Sequence, residues 1–206
     1  MVRVVLILAA FFSLTLLLAP LQLIALAFDL RLQRIIPHWC HRILCALIGV
    51  RIRQHGRRSS GGPTLILSNH VSWLDICVIS ALSPVAFVAK NEVAGWPVFG
   101  WLAKLQRTIF IDRKARHRTG AATREVAGRL LGGDAVVLFA EGTSSDGIRV
   151  LPFRSALVGA VHHALGHSTL HTSITVQPMS LAYTGLAGCR WAGRCASAWR
   201  GTATPT

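Results

Sequence analysis

The sequence is short of acidic residues, and this shortage narrows the partners that the chain can bind. Eight Asp and Glu residues stand against 22 Lys and Arg residues, which gives a formal net charge of +14. A chain this basic suits an anionic partner, which can be a nucleic acid, an anionic membrane surface or an acidic carrier protein. The shortage therefore leaves three classes of partner open.

Paired cysteines are also lacking. The five cysteines form no C-x-x-C pair and their number is odd, which argues against a disulfide framework and against a zinc site. We expect Cys45 and Cys77 to be small buried residues in a chain that faces the reducing cytoplasm.

Charge of either sign is scarce. Charged residues make up 15% of the chain and hydrophobic residues 52%, which is apolar for a soluble domain. The sequence also carries no helix-turn-helix, zinc-finger or RNA-binding signature. Both observations favour a membrane surface over nucleic acid. The 206 residues suffice for one domain with its own core and an appendage.

The first long segment, from Val4 to Phe28, has no charged residue. Such a run is long enough for a helix to cross a bilayer core of about 30 Å. Residues 25–27, Ala-Leu-Ala, resemble a signal-peptidase site, but the run is longer than in a typical signal peptide and only Arg3 precedes it. A buried core helix would also be shorter. We therefore predict an N-terminal apolar membrane-anchoring helix within residues 1–34, which either spans the bilayer or re-enters.

Basic residues follow this segment at once. Seven arginines lie between residues 29 and 60, with Asp29 as the only acid. Positive residues beside an apolar segment mark the cytoplasmic side, so we expect the body of the protein on the cytoplasmic face of the cell (inner) membrane. Residues 35–50 have an apolar and a basic face, which predicts a helix that lies on the membrane surface.

Strand and helix patterns alternate along residues 35–183, and this alternation predicts an α/β fold with a mainly parallel sheet flanked by helices. Short apolar runs bounded by turn residues indicate strands, and longer runs indicate helices. The predicted strands are residues 50–56 (an edge strand), 64–69, 84–90, 108–113, 135–140 and 173–183. The predicted helices of the body are residues 71–82, 98–105, 117–131 and 155–165.

Polar residues directly follow four of the predicted strands. In parallel sheets, chemistry gathers at the carboxyl ends of the strands. An imidazole, two cations and a carboxylate should therefore meet on one rim of the sheet. The residues at these positions are Asn69, His70, Lys90, Arg113, Glu141, Gly142 and Thr143.

His70 and Asp75 suit a general base and the carboxylate that orients it. Imidazole can take a proton from a hydroxyl near neutral pH. The sequence has no G-x-S-x-G elbow to supply a nucleophile of its own, so the attacking hydroxyl would belong to a substrate. The plainer alternative is that His70 caps a helix and Asp75 is a solvated helix residue.

The other rim residues also have two interpretations. Lys90 and Arg113 can grip a phosphate or carboxylate, or they are solvated cations at strand ends. Residues 141–147 (EGTSSDG) can hold an anion or order the site through backbone N–H groups and the Thr143 hydroxyl, or form a plain turn. Glu141 can organise cations on this otherwise basic rim.

Two further groups of residues carry less weight. Residues 163, 167 and 171 are histidines at helical spacing, but Gly166 and Thr169 weaken such a helix and no H-E-x-x-H motif occurs. We therefore predict no metal site and no cofactor. Several aromatic residues near the motifs are expected in the core or at a membrane interface. They are Trp73, Trp96, Phe99 and Trp101.

Together, the motifs resemble the 1-acyl-sn-glycerol-3-phosphate acyltransferase family, the lysophospholipid acyltransferases, over roughly residues 35–183. Each block is weak alone, but the set is specific because the blocks occur in the family's order. The four blocks are NHVSWLD at 69–75, TIFIDR at 108–113, FAEGT at 139–143 and VQPMSLAY at 176–183, with further similar segments FVAK at 87–90 and VLPFRSAL at 150–157.

The resemblance implies a glycerolipid acyltransferase-like fold and a role for each motif. His70 would act as general base on the acceptor hydroxyl, and Asp75 would orient it. The hydroxyl would attack an acyl thioester of acyl carrier protein or coenzyme A, a co-substrate, without an acyl-enzyme. Lys90 and Arg113 would hold a headgroup phosphate. The residues implied to shape the acceptor site are Glu141, Gly142 and Thr143.

The sequence departs from the family pattern in three places. Ala140 stands where the family usually has proline. Ser144 stands where many members have an arginine that helps to bind phosphate, so Arg149 or Arg154 would have to replace it. Residues 184–206 contain no acid and no clear periodicity. We expect an atypical tail there, truncated or frame-shifted, which could leave the domain without a closing element.

The leading expectation is acyl transfer to 1-acyl-glycerol-3-phosphate, which gives phosphatidic acid. The alternative is an O-acyltransferase that makes ornithine lipid from lyso-ornithine lipid, and Ser144 slightly favours this phosphate-free acceptor. A third hypothesis, from another class, is a non-catalytic basic membrane-binding protein. The expected partners are membrane lipid, one of the two lysolipid acceptors, and acyl carrier protein or acyl-CoA, without nucleic acid.

Overall fold

The computed structural model describes residues 2–57, 59, 62–112, 116–145, 147, 149–153, 159, 174–186 and 189–190. Five parallel strands form one sheet in the order β3-β2-β4-β1-β5. This sheet confirms the predicted mainly parallel α/β fold. Its strands are β1 (Thr64–Ser68), β2 (Ala86–Lys90), β3 (Ile109–Ile111), β4 (Ala135–Phe139) and β5 (Thr175–Met179), and β6 (Gly185–Leu186) and β7 (Cys189–Arg190) form a separate antiparallel pair.

Helices cover both faces of the sheet. Every residue of the central strand β4 is buried, as expected for a strand of a parallel sheet. On one face the core includes Val126 and Leu130 of α5, and on the other it includes Ile79 of α3. The helices are α1 (Val2–Ala27), α2 (Leu32–Ile48), α3 (Leu74–Leu82), α4 (Phe99–Leu105) and α5 (Arg116–Leu131), with a 3-10 helix at Asn91–Gly95.

The register of the strands sets the level of the residues that follow them. Ser68 at the end of β1 pairs with Phe139 of β4 and with Met179 of β5. The three strands therefore end side by side. Residues 69–70, 140–141 and 180–183 emerge at the same edge of the sheet, where the sequence predicted the functional rim.

The N-terminal helix α1 is joined to the body near its carboxyl end. Gln22 is buried, and its amide donates hydrogen bonds to the carbonyl oxygens of Gln33 (3.0 Å) and Leu105 (2.7 Å). Most of the large apolar side chains of α1 remain exposed. Within the described part of the chain, Val4–Ala27 is the one helical segment long and apolar enough to cross a membrane.

An ionic cluster fixes α2 to the opposite, amino-terminal edge of the sheet. Asp134, which precedes β4, accepts a hydrogen bond from Arg107 at 2.7 Å and forms an ion pair with Arg34 of α2 at 2.9 Å. Arg129 of α5 lies 3.7 Å from the same carboxylate. The cluster therefore links α2, α5, the start of β4 and the connection between α4 and β3.

The predicted edge strand at residues 50–56 is wrong. This segment forms no strand. Val50 and Ile52 pack instead on a cluster of apolar residues from α2 and α3. The alternation of apolar and polar residues in this segment thus arises because its apolar side chains pack on α2 and α3. Most of the predicted helix at 155–165 and of the tail at 184–206 lies outside the described residues.

Candidate active site

His70 and Asp75 meet at the carboxyl edge of the sheet. His70 directly follows Asn69 after β1, and Asp75 lies in the first turn of α3. The Nδ1 atom of His70 lies 2.8 Å from Oδ2 of Asp75. Asp75 is fully buried, at 0% exposure, while the His70 side chain remains 19% exposed. The alternative of a solvated Asp75 is therefore wrong.

The loop between β1 and α3 wraps its backbone around the Asp75 carboxylate. The N–H groups of Val71 and Ser72 donate to Oδ2 at 2.6 and 3.0 Å, and the Tyr183 hydroxyl donates to Oδ1 at 2.5 Å. Burial alone would raise the pKa of Asp75. The hydrogen bonds from His70, Tyr183, Ser72 and Val71 outweigh burial, so the pKa of Asp75 lies below its usual value. The carboxylate is therefore charged when it faces the imidazole.

The His70 ring and backbone are both held in place. The ring stacks on Phe139 at the end of β4, with 4.1 Å between ring centroids and 22° between planes. Glu141 accepts the His70 N–H at 2.9 Å, and the Ser145 N–H donates to the His70 carbonyl at 2.7 Å. The loop after β4 thus fixes the position of the histidine that follows β1.

Glu141 builds this loop through its carboxylate. Its Oε2 atom accepts the His70 N–H, and its Oε1 atom accepts the Leu151 N–H at 2.6 Å. The side chain is buried. Gly142, with a φ of 74° that favours glycine, allows the turn that follows. Both carboxylate oxygens accept backbone N–H groups, and a role of Glu141 in organising cations stays a prediction.

The sequence predicted Asn69 on the rim without a role, and it did not single out Tyr183. The buried amide of Asn69 accepts the Leu181 N–H at 2.7 Å and donates to the Leu181 carbonyl at 3.0 Å. This pair of bonds carries the chain beyond β5 back to β1 and brings Tyr183 onto Asp75. The available signal was that Tyr183 is the only tyrosine of the chain and closes the last motif.

The other predicted site residues are distributed along the rim. Lys90 ends β2 and is exposed, and Thr143 and Ser144 are exposed in the loop after β4. Strands β1 and β2 flank β4, which separates the ends of β1 and β2 by about 10 Å. Arg113 and Arg154 lie outside the described residues.

The described residues bring no three His, Cys, Asp or Glu side chains together in a way that could hold a metal ion. Residues 163, 167 and 171, the histidines at helical spacing, lie outside the described part. Cys45 and Cys77 are buried and free, as expected.

The aromatic residues near the motifs lie at the surface instead of in the core. Trp73, Trp96, Phe99 and Trp101 are all exposed. The segment that bears three of them, residues 96–101, is part of the connection between β2 and β3. Of the two predicted positions, the core is therefore wrong for these four side chains.

A parallel sheet with a histidine–carboxylate pair at its carboxyl edge defines the class: an α/β protein equipped for general-base chemistry. The crystal structure of the 1-acyl-sn-glycerophosphate (LPA) acyltransferase PlsC from Thermotoga maritima has this fold. It matches with a TM-score of 0.56 and 18% identity and covers 87% of this chain and 83% of that one. A family model described as Acyltransferase matches residues 49–182. The chain therefore belongs to the acyltransferase family.

Two similar proteins share more of the sequence. The lyso-ornithine lipid O-acyltransferase of Brucella abortus (strain 2308) is 48% identical over 91% of this chain and 70% of its own length. The lyso-ornithine lipid O-acyltransferase of Rhizobium meliloti (strain 1021) is 42% identical over 84% of this chain and 59% of its own length. The chain thus spans about 60 to 70% of these two proteins.

Proposed function

We propose that this chain is an O-acyltransferase that transfers an acyl group from a thioester to the hydroxyl of lyso-ornithine lipid and so forms ornithine lipid. The observation that carries the choice of acceptor is the identity of 48% and 42% to two proteins named for this acceptor. Identity to the 1-acyl-sn-glycerol-3-phosphate acyltransferase of Neisseria meningitidis serogroup B (strain ATCC BAA-335 / MC58) is lower, at 35% over 72% of this chain and 61% of that protein, so the difference in identity favours lyso-ornithine lipid.

In this reaction His70 is the general base. Because Nδ1 is engaged with Asp75, Nε2 is the ring nitrogen that takes the proton from the acceptor hydroxyl. The oxygen attacks the thioester carbonyl carbon, and the carbon–sulfur bond breaks as the tetrahedral intermediate collapses. The imidazolium returns its proton to the departing thiolate. Asp75 stabilises the imidazolium, and no acyl-enzyme forms.

The rim supports an acceptor without phosphate. Ser144 stands at a position where many lysophospholipid acyltransferases have an arginine that helps to bind phosphate. The Ser144 side chain is exposed. Lys90 is the cation that binds an acceptor carboxylate in this proposal, and Thr143 lines the acceptor site. Glu141 and Gly142 shape the site through the loop. Arg113 and Arg154 stay predicted binding residues for the headgroup.

The acyl donor is acyl carrier protein or coenzyme A. Acyl carrier protein is acidic, and the net charge of +14 suits the approach of an acidic protein. Either donor presents the same thioester to His70, so the chemistry at the base is the same for both.

The domain sits on the cytoplasmic face of the inner membrane in this proposal. Helix α1 is the anchor, because its apolar residues are exposed along most of its length. The exposed side of α2 is also apolar at a spacing of three or four residues, which suits a helix lying in the interface. The residues of this side are Leu32, Ile35, Trp39, Ile43 and Leu47. The exposed Trp96 and Trp101 suit the same interface.

The test is an acyl-transfer assay on membranes that contain the protein. A labelled acyl-carrier-protein donor is offered with lyso-ornithine lipid or with lysophosphatidic acid in separate reactions, and membranes with the His70→Ala variant serve as blank. We expect labelled ornithine lipid that depends on His70. Labelled phosphatidic acid alone would replace the acceptor in this proposal, and the absence of any His70-dependent product would favour a non-catalytic membrane-binding protein.

A further inference from the structure

Tyr183 is the only tyrosine among the 206 residues, and its hydroxyl lies against the carboxylate that partners the base. It donates a 2.5 Å hydrogen bond to Asp75 Oδ1. The other oxygen, Oδ2, accepts hydrogen bonds from His70 and from two backbone N–H groups. The two oxygens therefore have separate partners, since Oδ2 meets the base and Oδ1 meets Tyr183.

We propose that Tyr183 is a positioning residue of the acyl-transfer site, which holds the Asp75 carboxylate in the orientation that presents Oδ2 to His70. This inference rests on the proposed function, in which His70 is the base. Tyr183 acts on the base through Asp75 and has no contact with the reacting atoms in this account.

The residue that precedes the base also fixes the position of the Tyr183 hydroxyl. Asn69, which directly precedes His70, forms two hydrogen bonds with the backbone of Leu181. Leu181 also packs on the apolar clusters at α3. Two residues further on, Tyr183 reaches Asp75. His70, Asp75 and Tyr183 thus form one hydrogen-bonded group. Tyr183 reaches this group only because the chain after β5 returns to the end of β1.

The hydrogen bond from Tyr183 also affects how much negative charge the Asp75 carboxylate presents to the His70 imidazole. A donor at Oδ1 draws negative charge away from Oδ2. Without this donor, a fully buried oxygen loses its partner, and more of the charge faces His70, which favours the protonated base. Loss of the hydroxyl should therefore lower turnover. It should also move the acidic limb of the pH–rate profile, the range in which the rate falls because the base is protonated, to higher pH.

The neighbouring groups keep their charge in the neutral range. Asp75 is faced by His70 from the end of β1, by Cys77 from α3 and by Tyr183 from beyond β5. The Glu141 carboxylate, from the loop after β4, accepts the His70 N–H. Burial raises the pKa of the Cys77 thiol to about 12. Burial, together with the bond to Asp75, raises the pKa of Tyr183 above its usual value. Both groups stay uncharged between about pH 5 and 8, so a shift of the limb there reports on the base.

The experiment measures kcat and KM for the acceptor against pH in three variants and the unchanged protein. Tyr183→Phe should lower kcat about tenfold, with KM changed less than about twofold, and move the acidic limb to higher pH. Ser80→Ala is the matched control. This variant removes the buried hydroxyl of Ser80 in α3, and that hydroxyl accepts a hydrogen bond from Gln106 at 3.1 Å. The change should leave the acidic limb in place. His70→Ala is the third variant.

A second measurement avoids any change of shape. Growth on 3-fluorotyrosine labels Tyr183 alone, because it is the only tyrosine. Fluorination makes the phenol a stronger donor to Asp75, so the acidic limb should move to lower pH, opposite to Tyr183→Phe. This measurement decides the question even if the Phe variant fails to fold.

The outcomes separate the inference from the function on which it rests. Opposite shifts of the limb in the Phe and fluorotyrosine proteins support the positioning role. If His70→Ala is inactive but fluorotyrosine leaves the acidic limb unmoved, the positioning role of Tyr183 is overturned. The role of His70 as general base then still stands. A fully active His70→Ala variant overturns the proposed function itself.

Discussion

Asp75 places a full charge where water does not reach, and the fold compensates this charge with four hydrogen-bond donors. Three donors converge on Oδ2 and one on Oδ1. A buried carboxylate is tolerated when every lone pair that matters has a partner. The same four donors fix the carboxylate beside His70, so the stability of the buried charge and the orientation of the His70 imidazole have a common origin.

Removal of either member of the pair should stop the reaction. We expect His70→Ala and Asp75→Ala each to lower turnover at least about a hundredfold, because a positioned general base or its orienter is lost. Both variants should still sediment with membranes, since α1 is unchanged. Near-normal turnover in His70→Ala would show that another group takes the proton.

Asp75 also predicts a pH dependence of stability. Its pKa is lowered in the folded protein, so it contributes stability above its unfolded value of about 3.9 and loses this contribution as the pH falls through the folded pKa. Asp75→Asn should therefore cost on the order of 2 kcal/mol of unfolding free energy at pH 5. The difference should shrink below about pH 4.

Urea unfolding of the two proteins in the same detergent at pH 5 and pH 3 measures this difference. A cost of Asp75→Asn that stays equal at both pH values would mean that the folded protein does not depress the pKa of Asp75.

The sequence alone identified part of this site. His70 and Asp75 were predictable because both lie in one short motif, and a five-residue separation is bridged by a local turn. The contacts of Asn69 and Tyr183 were not, because their partners are 112 and 108 residues away. No local pattern reports a contact of that range, and only the pairing of β1 with β5 creates it.

At the scale of elements, the cluster at Asp134 holds α2 to the body. Asp134 and Arg107 are both buried, so removing the acid leaves a buried guanidinium without its partner. Asp134→Asn should lower the unfolding free energy by about 3 kcal/mol. Glu125→Gln is the control, because Glu125 is 49% exposed and lies 3.8 Å from Arg129. It should cost less than about 0.5 kcal/mol.

Chemical denaturation followed by tryptophan fluorescence compares the two variants. Equal small losses would mean that the Asp134 cluster is dispensable for the attachment of α2.

The elements themselves were predictable to differing degrees. The apolar runs of β1 and β4 were readily predicted as buried strands, because a strand that is buried on both faces has few polar residues. Residues 50–56 were misjudged because an alternating pattern records which side of a chain is buried and says nothing of what buries it. The 3-10 helix after β2 was missed because five residues are too few for a periodic signal.

At the scale of the whole molecule, the proposed role of α1 as anchor predicts that this helix keeps the protein on the membrane. Leu16 and Leu17 are 72% and 75% exposed near the middle of this helix. Replacing both with Asp places two carboxylates in the apolar segment, each of which opposes insertion by about 3 kcal/mol. The double variant should leave the membrane pellet after a salt wash.

Val176→Asp provides the control for this change. Val176 is an exposed apolar residue of β5 in the body, so its replacement should leave the sedimented fraction unchanged. Full retention of the Leu16 and Leu17 double variant would remove α1 from the role of anchor.

The acceptor is the property that the sequence determines least. The base chemistry is the same for any lipid hydroxyl, so the motif around His70 carries no record of the headgroup. Only the difference at Ser144 favoured a phosphate-free lipid, and the leading expectation was still phosphatidic acid. Similarity to two proteins named for lyso-ornithine lipid shifts the proposal to the alternative.

The most direct test of this account is a competition in one reaction. Lyso-ornithine lipid and lysophosphatidic acid are offered together at equal concentration with a labelled acyl-carrier-protein donor, and the ratio of the two labelled products gives the ratio of kcat/KM. We expect ornithine lipid to dominate at least about tenfold, which corresponds to about 1.4 kcal/mol of preference, and both products to vanish with His70→Ala. An excess of phosphatidic acid would contradict it.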